Sequence, residues 1–167
     1  IEKSVLHCRD LTEMWLNVSR GKLRRSTFDA GKLVRSVADN CRIKAGEKQA
    51  ALEVESAGEG LALEADEMQV SRAVQNLIVN ALEAVSPGSG RVRVRCSREG
   101  ESLQIGVEDN GCGMTDDQIG NATEPFYTTK KNSGTGLGLF IVKQVAEAHG
   151  GTLRIESHLG QGTNMIM

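Results

Sequence analysis

Two asparagines on a predicted helix have the chemistry and the spacing to bind a metal ion. Asn76 and Asn80 lie four residues apart in the stretch QNLIVNALEA, so they share a helix face, which Glu83 continues. A carboxamide oxygen is a hard, neutral ligand that suits Mg²⁺, a cation that keeps several waters and takes further ligands from phosphates. Ordinary surface asparagines would show the same spacing, so the pair alone leaves both alternatives open.

A carboxylate at the end of a predicted strand is the second candidate. In the stretch VEDNGCGM, Asp109 closes an alternating strand and is followed by Gly111 and Gly113. The carboxylate can accept a hydrogen bond from an amino group, and the two glycines let the backbone approach a flat ring closely. A plain glycine turn is the alternative for this stretch.

A glycine-rich stretch, SGTGLGL, is the third candidate. Gly134, Gly136 and Gly138 alternate at the start of a predicted helix. Free N–H groups there, together with the helix dipole, predict an anion site. No Lys-Ser or Lys-Thr follows the last glycine, and no strand precedes the first. The stretch is therefore neither a Walker A loop nor the dinucleotide-binding fingerprint.

Two further stretches carry polar groups without periodic structure. In TEPFYTTKK, Phe126 and Tyr127 are predicted to pin a loop by packing, while Lys130 or Lys131 would reach a phosphate. A solvated pair of charges is the alternative for the two lysines. In GQGTNM, Thr163 would place a hydroxyl near a polar ligand, although a plain turn fits that stretch equally well.

The hydrophobic pattern predicts the elements that carry these groups. It predicts helices over about 31–44, 67–85 and 135–149, and strands over 49–56, 91–98 and 102–109, with two more strands after residue 151. Asp29 and Asp66 are predicted to cap the first two helices. Residues 110–134 show no sustained period, and a loop this long is usually functional. Helices and strands mix without a regular βαβ rhythm. The pattern therefore predicts an α+β two-layer sandwich, with helices on one face of a mixed, mostly antiparallel sheet.

Composition excludes several classes of partner. The net charge is −2 and aromatic residues make up 3%, so the sequence predicts no nucleic-acid partner. Arg91, Arg93 and Arg95 fit the solvated face of a strand. The four cysteines form no CxxC pair, which favours free thiols in a reducing cytosol over a zinc site. No apolar run reaches the length of about 18 residues expected of a membrane span.

The order of these motifs resembles the ATP-binding catalytic domain of bacterial sensor histidine kinases. That domain belongs to the superfamily shared with gyrase, heat-shock chaperones and MutL. The resemblance covers roughly residues 28–167 and implies ATP and Mg²⁺ as cofactors, with a long ATP lid over 111–134. It implies Asn80 and Lys130 as catalytic residues, with Asn80 as the metal ligand. The implied nucleotide-binding residues are Asn76, Asn80, Asp109, Gly111, Gly113, Phe126, Lys130, Gly134, Thr135, Gly136, Leu137, Gly138 and Thr163.

The resemblance also implies individual roles. Asp109 would read the adenine amino group, and Thr163 would lie near the adenine. Phe126 would be the aromatic anchor of the lid. ATP-hydrolysing relatives usually carry a glutamate as general base where this chain has Asn76, so transfer to a protein acceptor fits better than vigorous hydrolysis. Many histidine kinases carry a basic residue where this chain has Glu83, which leaves phosphate binding to Lys130 and backbone amides.

No histidine in this sequence matches the family's phosphoacceptor box. His7 is followed by Cys8 without a nearby proline, while His149 and His158 lie in segments that match structural positions. We therefore expect an acceptor histidine outside this sequence.

Residues 1–24 resemble the C-terminal part of a dimerisation helix, and 25–167 resemble the ATP-binding domain. A seam at 3- and 4-residue spacing supports the first assignment, although a helix packed on its own domain is the alternative. The seam residues are Ile1, Ser4, Cys8, Leu11, Trp15 and Val18.

The resemblance implies a cytoplasmic domain of a homodimeric parent protein, whose membrane attachment the sequence leaves open. Its implied partners are the dimerisation and histidine-phosphotransfer domain and a response regulator. Two other functions stay open: a nucleotide-binding signalling module without phosphotransfer, and an ATPase of the chaperone or MutL type.

Overall fold

The computed structural model describes residues 23–56, 60–129 and 134–167. The seam residues of the predicted dimerisation helix, Lys130 and Lys131 lie outside the described residues. The strands are β1 (Ser26–Asp29), β2 (Ala51–Ser56), β3 (Ala62–Ala65), β4 (Arg91–Glu99), β5 (Ser102–Asp109), β6 (Arg154–His158) and β7 (Gly162–Ile166). The helices are α1 (Ala30–Glu47), α2 (Glu67–Ala84), α3 (Asp116–Asn121) and α4 (Gly138–Ala148). Within the described ranges, no helix is both long enough and apolar enough to cross a membrane.

Five strands form one mixed sheet in the order β2-β4-β5-β7-β6. The pair β2 and β4 is parallel, and the other neighbours are antiparallel. Strands β1 and β3 form a separate antiparallel ribbon. The predicted mixed, mostly antiparallel sheet is therefore confirmed.

One face of the sheet carries the core. Along β4, buried Val92 and Val94 alternate with arginines, as expected where one face meets a helical layer. Helix α2 packs against β4 and β5, and it lies between α1 and α4 in that layer. Its side chains Leu77 and Ile78 are fully buried, as is Val142 of α4. The predicted two-layer sandwich is confirmed.

The opposite face of the sheet is laced with charges. Arg95 lies 3.1 Å from Glu55 on β2 and 3.1 Å from Glu108 on β5. Arg93 lies 3.6 Å from Glu108, and its Nε lies 3.1 Å from Glu55 but out of line for a hydrogen bond. These side chains are partly exposed, so each pair contributes at most about 1 kcal/mol. The two arginines belong to a solvated ion-pair face, as their alternation predicts.

Both predicted helix caps are present. Asp29 Oδ1 accepts a hydrogen bond from Lys32 N at 3.0 Å, and Asp66 Oδ1 accepts one from Gln69 N at 3.2 Å. Asp66 Oδ2 also accepts from Arg24 N at 3.1 Å, and its carboxylate is buried. This second cap therefore joins the start of α2 to the segment that precedes β1.

His149 links the end of α4 to that same cap. Its Nε2 lies 3.0 Å from the backbone N–H of Asp66, and its Nδ1 lies 2.8 Å from the carbonyl of Val145. A carbonyl only accepts and an N–H only donates, so Nδ1 carries the proton and Nε2 accepts. The ring is a neutral structural bridge with both nitrogens engaged.

We expect Asp66→Ala to lower the free energy of unfolding by about 1–2 kcal/mol, because the start of α2 loses its cap. Asp29→Ala removes the corresponding cap of α1, and it should cost less because Asp29 is less buried than Asp66, although its carboxylate also accepts from the backbone of Gly60. Urea denaturation of both variants measures the difference. Equal losses would contradict the expectation that the deeper burial of Asp66 and its bond from Arg24 N make its cap the stronger one.

The structure differs from the sequence prediction at the start of one helix and in one additional helix. Helix α4 begins at Gly138 instead of Thr135, because Gly136 has a φ of +69°, which no right-handed helix accommodates. The stretch 110–134 contains helix α3, which hydrophobic periodicity missed because none of its residues is buried. Its signal is the capping box, in which the Thr115 side chain accepts from Gln118 N and the Gln118 side chain accepts from Thr115 N.

Candidate functional site

Asp109 lies at the end of β5 and is a buried residue, only 6% exposed. Burial raises the pKa of its carboxyl, while hydrogen bonds from the backbone of Gly111 and Thr163 act in the opposite direction. The Gly111 bond to Oδ1 measures 2.8 Å. Thr163 stands directly opposite Asp109 on β7, so both side chains lie on the same, helix-covered face of the sheet. The structure therefore brings together the two residues assigned to the adenine.

The backbone after Asp109 is fixed against the end of α2. Cys112 N donates to Ala84 O at 3.1 Å, and a Cβ on Gly111 would lie 2.5 Å from the same oxygen. Asn110 Oδ1 accepts from Arg91 N at 2.7 Å. The strand end is thus held against the helix that carries the two asparagines.

Two glycines make the closest backbone approaches in this region. Gly113 has a φ of +65°, and a Cβ there would lie 2.0 Å from His158 O. Gly162 has a φ of +99°, and a Cβ there would lie 2.0 Å from Asp109 O. Gly113 was among the predicted site residues, whereas Gly162 was missed. Its only signal in the sequence is its place in the Gly-x-Gly-Thr stretch.

Asn80 meets the start of α4. A Cβ on Gly138 would lie 3.3 Å from Asn80 Nδ2, so the carboxamide lies beside the first turn of that helix. The N-cap residue of α4 is Leu137, which supplies no side-chain cap, and the first-turn N–H groups have no intrahelical partner. Thr135 Oγ1 accepts from Leu137 N at 3.2 Å, which shapes the turn before the helix. The predicted metal ligand and the glycine-rich helix start are therefore neighbours.

Asn76 has an unmet hydrogen-bond donor. Its Nδ2 is buried and has no hydrogen-bond partner. An unsatisfied buried polar group costs about 1–3 kcal/mol, so the site favours a ligand that brings an acceptor to this atom. A phosphate oxygen or a water would satisfy it, whereas a cation would not. Asn76 therefore fits an assisting role, with the metal assigned to Asn80.

Glu83 lies on the α1 side of α2. Its Oε1 accepts from Lys44 Nζ at 2.6 Å. The sequence interpretation placed Glu83 on the strip continued from the asparagines. The continuous helix keeps Glu83 on that strip, and its carboxylate in addition pairs with Lys44 of the neighbouring helix.

Phe126 contacts Gly136 through its backbone. Phe126 N donates to Gly136 O at 2.9 Å, and a Cβ on Gly136 would lie 2.3 Å from the Phe126 carbonyl carbon. The Phe126 side chain is 64% exposed, and its φ of +67° is in the left-handed region. The packing predicted for this ring is therefore not what the structure shows. The segment is held by main-chain contact between its two ends, and Lys130 lies outside the described residues.

A cavity of about 450 Å³ lies at the other end of α2 and shares no residue with this site. It opens between α1 and the start of α2, with Arg24, Leu33 and Met68 among its lining residues. In the described ranges, no group of three or more His, Cys, Asp or Glu side chains could hold a metal ion. A magnesium ion at Asn80 would therefore take most of its ligands from phosphates and waters, which suits that cation.

Comparison with known proteins decides the family. The model described as "Histidine kinase-, DNA gyrase B-, and HSP90-like ATPase" matches residues 65–167. The chain belongs to this family. The matched region contains the asparagine helix, Asp109, the glycine-rich helix start and Thr163, which are the motifs behind the resemblance.

The similar curated proteins include sensor kinases. Sporulation kinase B of Bacillus subtilis is 33% identical over 154 residues, which span 92% of this chain and 36% of that protein. The alginate biosynthesis sensor protein KinB of Pseudomonas aeruginosa is 33% identical over 147 residues, which span 87% of this chain and 24% of that protein. The chain thus spans about a third or less of these relatives.

Solved structures confirm the fold and the type of domain. The catalytic domain of the histidine kinase ThkA superposes with a TM-score of 0.77 at 26% identity, covering 86% of this chain and 93% of that one. Full-length ShkA in complex with AMPPNP superposes with a TM-score of 0.82 at 26% identity, covering 98% of this chain and 36% of that one. The expected ATP-binding catalytic domain of a sensor histidine kinase is therefore confirmed.

We expect Cys112 to be the fast-reacting thiol of the described residues. It is exposed beside Asp109, whereas Cys41 and Cys96 are buried. Burial raises the pKa of the Cys96 thiol from 9.0 to about 11, which lowers its thiolate fraction by about 100-fold. When the folded protein with Cys8 replaced by serine is titrated with a thiol reagent, one equivalent of thiol should react fast. Cys112→Ser should abolish it, and a fast phase that survives in that variant would contradict the assignment.

Proposed function

We propose that this chain binds Mg·ATP and that the full protein transfers the γ-phosphoryl group to a histidine outside this sequence. The observation that carries the proposal is the meeting of two pairs of groups around α2. At one end of the site, Asp109 and Thr163 share a sheet face. The backbone after Asp109 contacts Ala84 at the end of α2. One turn earlier in that helix, Asn80 lies beside Gly138 at the start of α4.

Asp109 would accept a hydrogen bond from the adenine amino group. Backbone N–H groups already hold its carboxylate in place, which leaves lone pairs for a ligand. The close contacts at Gly111 and Gly113 would fix the backbone beside this carboxylate, because a side chain at either position would meet the backbone oxygen of Ala84 or of His158. Recognition of the amino group would therefore depend on a preorganised carboxylate.

The phosphates would lie along the start of α4. Backbone groups of Gly134, Thr135, Gly136, Leu137 and Gly138 form the turn and first helical position, where the helix dipole favours an anion.

Asn80 would supply an oxygen ligand to Mg²⁺, which would neutralise phosphate charge when bound. Asn76 Nδ2 would donate to a phosphate oxygen or a water. Lys130 is proposed as a further phosphate contact and catalytic residue.

Transfer to a histidine fits these residues better than hydrolysis. Asn76 occupies the place from which a glutamate would activate water, and a carboxamide accepts no proton at neutral pH. An imidazole nitrogen needs no such base, because its lone pair forms the new P–N bond directly as the bond between the γ-phosphorus and its bridging oxygen breaks and ADP leaves. His149 has both ring nitrogens engaged, which supports an acceptor elsewhere.

The proposed architecture follows the sensor-kinase relatives. Residues 1–24 are proposed as the end of a dimerisation helix, and 25–167 as the ATP-binding domain. The proposed partners are the dimerisation and histidine-phosphotransfer domain, in a homodimeric full-length protein, and a response regulator. ThkA has itself been solved in complex with the response regulator protein TrrA. The free thiols of Cys41, Cys96 and Cys112 support a reducing compartment such as the cytoplasm.

Incubation with a separate fragment that carries the parent protein's acceptor histidine tests the proposal. With ATP labelled at the γ-phosphate, we expect acid-labile label on that fragment. Asn80→Ala should remove most of the label, whereas Asn40→Ala, an exposed asparagine on α1, should not. ATP binding without label would favour a signalling module. Rapid phosphate release without an acceptor would favour an ATPase.

A further inference from the structure

Ser157, on β6, makes three short hydrogen bonds beside the proposed adenine site. Its Oγ lies 2.8 Å from Gly162 O, 2.8 Å from Thr163 Oγ1 and 2.9 Å from Met114 N. Ser157 is 7% exposed and Thr163 is 5% exposed, so both residues are buried. No motif or periodic pattern in the sequence distinguishes Ser157.

The directions of these bonds follow from counting protons. A serine hydroxyl has one proton to donate and two lone pairs that accept. Gly162 O can only accept, and Met114 N–H can only donate. If Ser157 gave its proton to Thr163, unprotonated oxygens of Ser157 and Gly162 would face each other at 2.8 Å, which is repulsive. Ser157 therefore donates to Gly162 O and accepts from both Met114 N and Thr163 Oγ1.

In this arrangement Thr163 donates its single hydroxyl proton to Ser157 Oγ. Any ligand that reaches Thr163 Oγ1 meets only lone pairs, and Asp109 beside it presents a carboxylate, which also only accepts. Two neighbouring acceptors favour a base edge that carries an amino group. They disfavour an edge with a carbonyl oxygen at the same place, because that oxygen would find no donor.

We propose that Ser157 is a specificity-determining positioning residue, which directs the Thr163 proton away from the nucleotide and so makes the site reject 6-oxo purines. The proposal rests on the proposed ATP site and names which chemical class that site excludes. Ser157 acts through Thr163. Its bond to Met114 also fixes the first part of the segment after Asp109, which is a structural role that must be separated in the test.

Affinities for ATP and inosine triphosphate, measured by calorimetry, test the proposal. In Ser157→Ala the Thr163 hydroxyl is free to donate, so the ratio of inosine triphosphate to ATP affinity should rise by about tenfold, the worth of roughly one hydrogen bond. If the role of Ser157 were purely structural, the substitution would lower the affinities for both nucleotides by the same factor. Ser157→Cys, with a similar volume and a weak acceptor, should act in the same direction and serves if the alanine variant does not fold.

A double-variant cycle completes the test. In a Thr163→Val background there is no hydroxyl proton to direct, so Ser157→Ala should no longer change the ratio. An unchanged ratio in Ser157→Ala, with ATP still bound, would overturn the proposal, as would an equal change of the ratio in both backgrounds. If the unsubstituted protein binds no ATP, the proposed function fails, and this result is distinct from a loss of selectivity.

Discussion

Asp109→Asn is expected to weaken ATP binding by about tenfold to a hundredfold or more. The substitution keeps the shape of the side chain and removes its charge. A hydrogen bond to a charged group is worth about 1.5–3 kcal/mol, and each 1.4 kcal/mol is a factor of about ten in affinity. Calorimetric titration with Mg·ATP measures the change. Asp39→Asn, on the exposed side of α1, is the matched control and should bind ATP as the unsubstituted protein does.

The folded state should not suffer from the same substitution. Burial holds the pKa of Asp109 above its ordinary value of 3.8, so the contribution of this group to stability is largest below that value and is lost as the pH rises through the folded pKa. At neutral pH the buried charge therefore opposes folding. A neutral carboxamide removes that cost and loses some hydrogen-bond strength to Gly111. We expect the free energy of unfolding to stay equal or increase, so weaker ATP binding would not reflect unfolding.

ATP binding should also depend on pH through this group. As the pH falls from neutral through the raised pKa of Asp109, the carboxyl gains a proton and one acceptor becomes a donor. We expect the affinity for ATP to fall along that path and the Asp109→Asn variant to lose this part of the dependence. Identical pH profiles for the two proteins, or unchanged affinity in the variant, would remove Asp109 from the site.

Local patterns predicted the elements because each pattern has a local physical cause. Alternation along 91–98 and 102–109 predicts strands with one buried face, and that face is where Val92, Val107 and Asp109 lie. The caps at Asp29 and Asp66 were predictable because a cap bonds within three residues of itself. The same locality explains why Asp109 could be placed at a strand end from its neighbours alone.

Contacts between distant segments were the part that the sequence did not predict. The parallel pairing of β2 with β4 and the turn of Glu83 towards Lys44 depend on how α1 and α2 pack. Ser157 had no pattern to distinguish it, because its partner Met114 is 43 residues away. Gly162 was passed over for a similar reason, since the oxygen that excludes its side chain belongs to Asp109.

Gly113→Ala is expected to lower the free energy of unfolding by about 2–5 kcal/mol. A left-handed backbone costs an ordinary L-residue about 1–2 kcal/mol, and overpacking in a tight site costs about 1–3 kcal/mol more. Here a methyl group would lie 2.0 Å from the backbone oxygen of His158, which cannot rotate away as a side chain would. Urea denaturation measures the loss.

Gly160→Ala separates the two costs. Gly160 has a φ of +77°, close to the +65° of Gly113, yet a Cβ there meets nothing within 4 Å. Its variant should therefore show the backbone cost alone, about 1–2 kcal/mol. The excess loss in Gly113→Ala then measures how firmly the segment after Asp109 is held against the turn between β6 and β7. If the two variants lose equal stability, that turn yields to the added methyl group, and the close approach at Gly113 does not hold the adenine-side backbone in place.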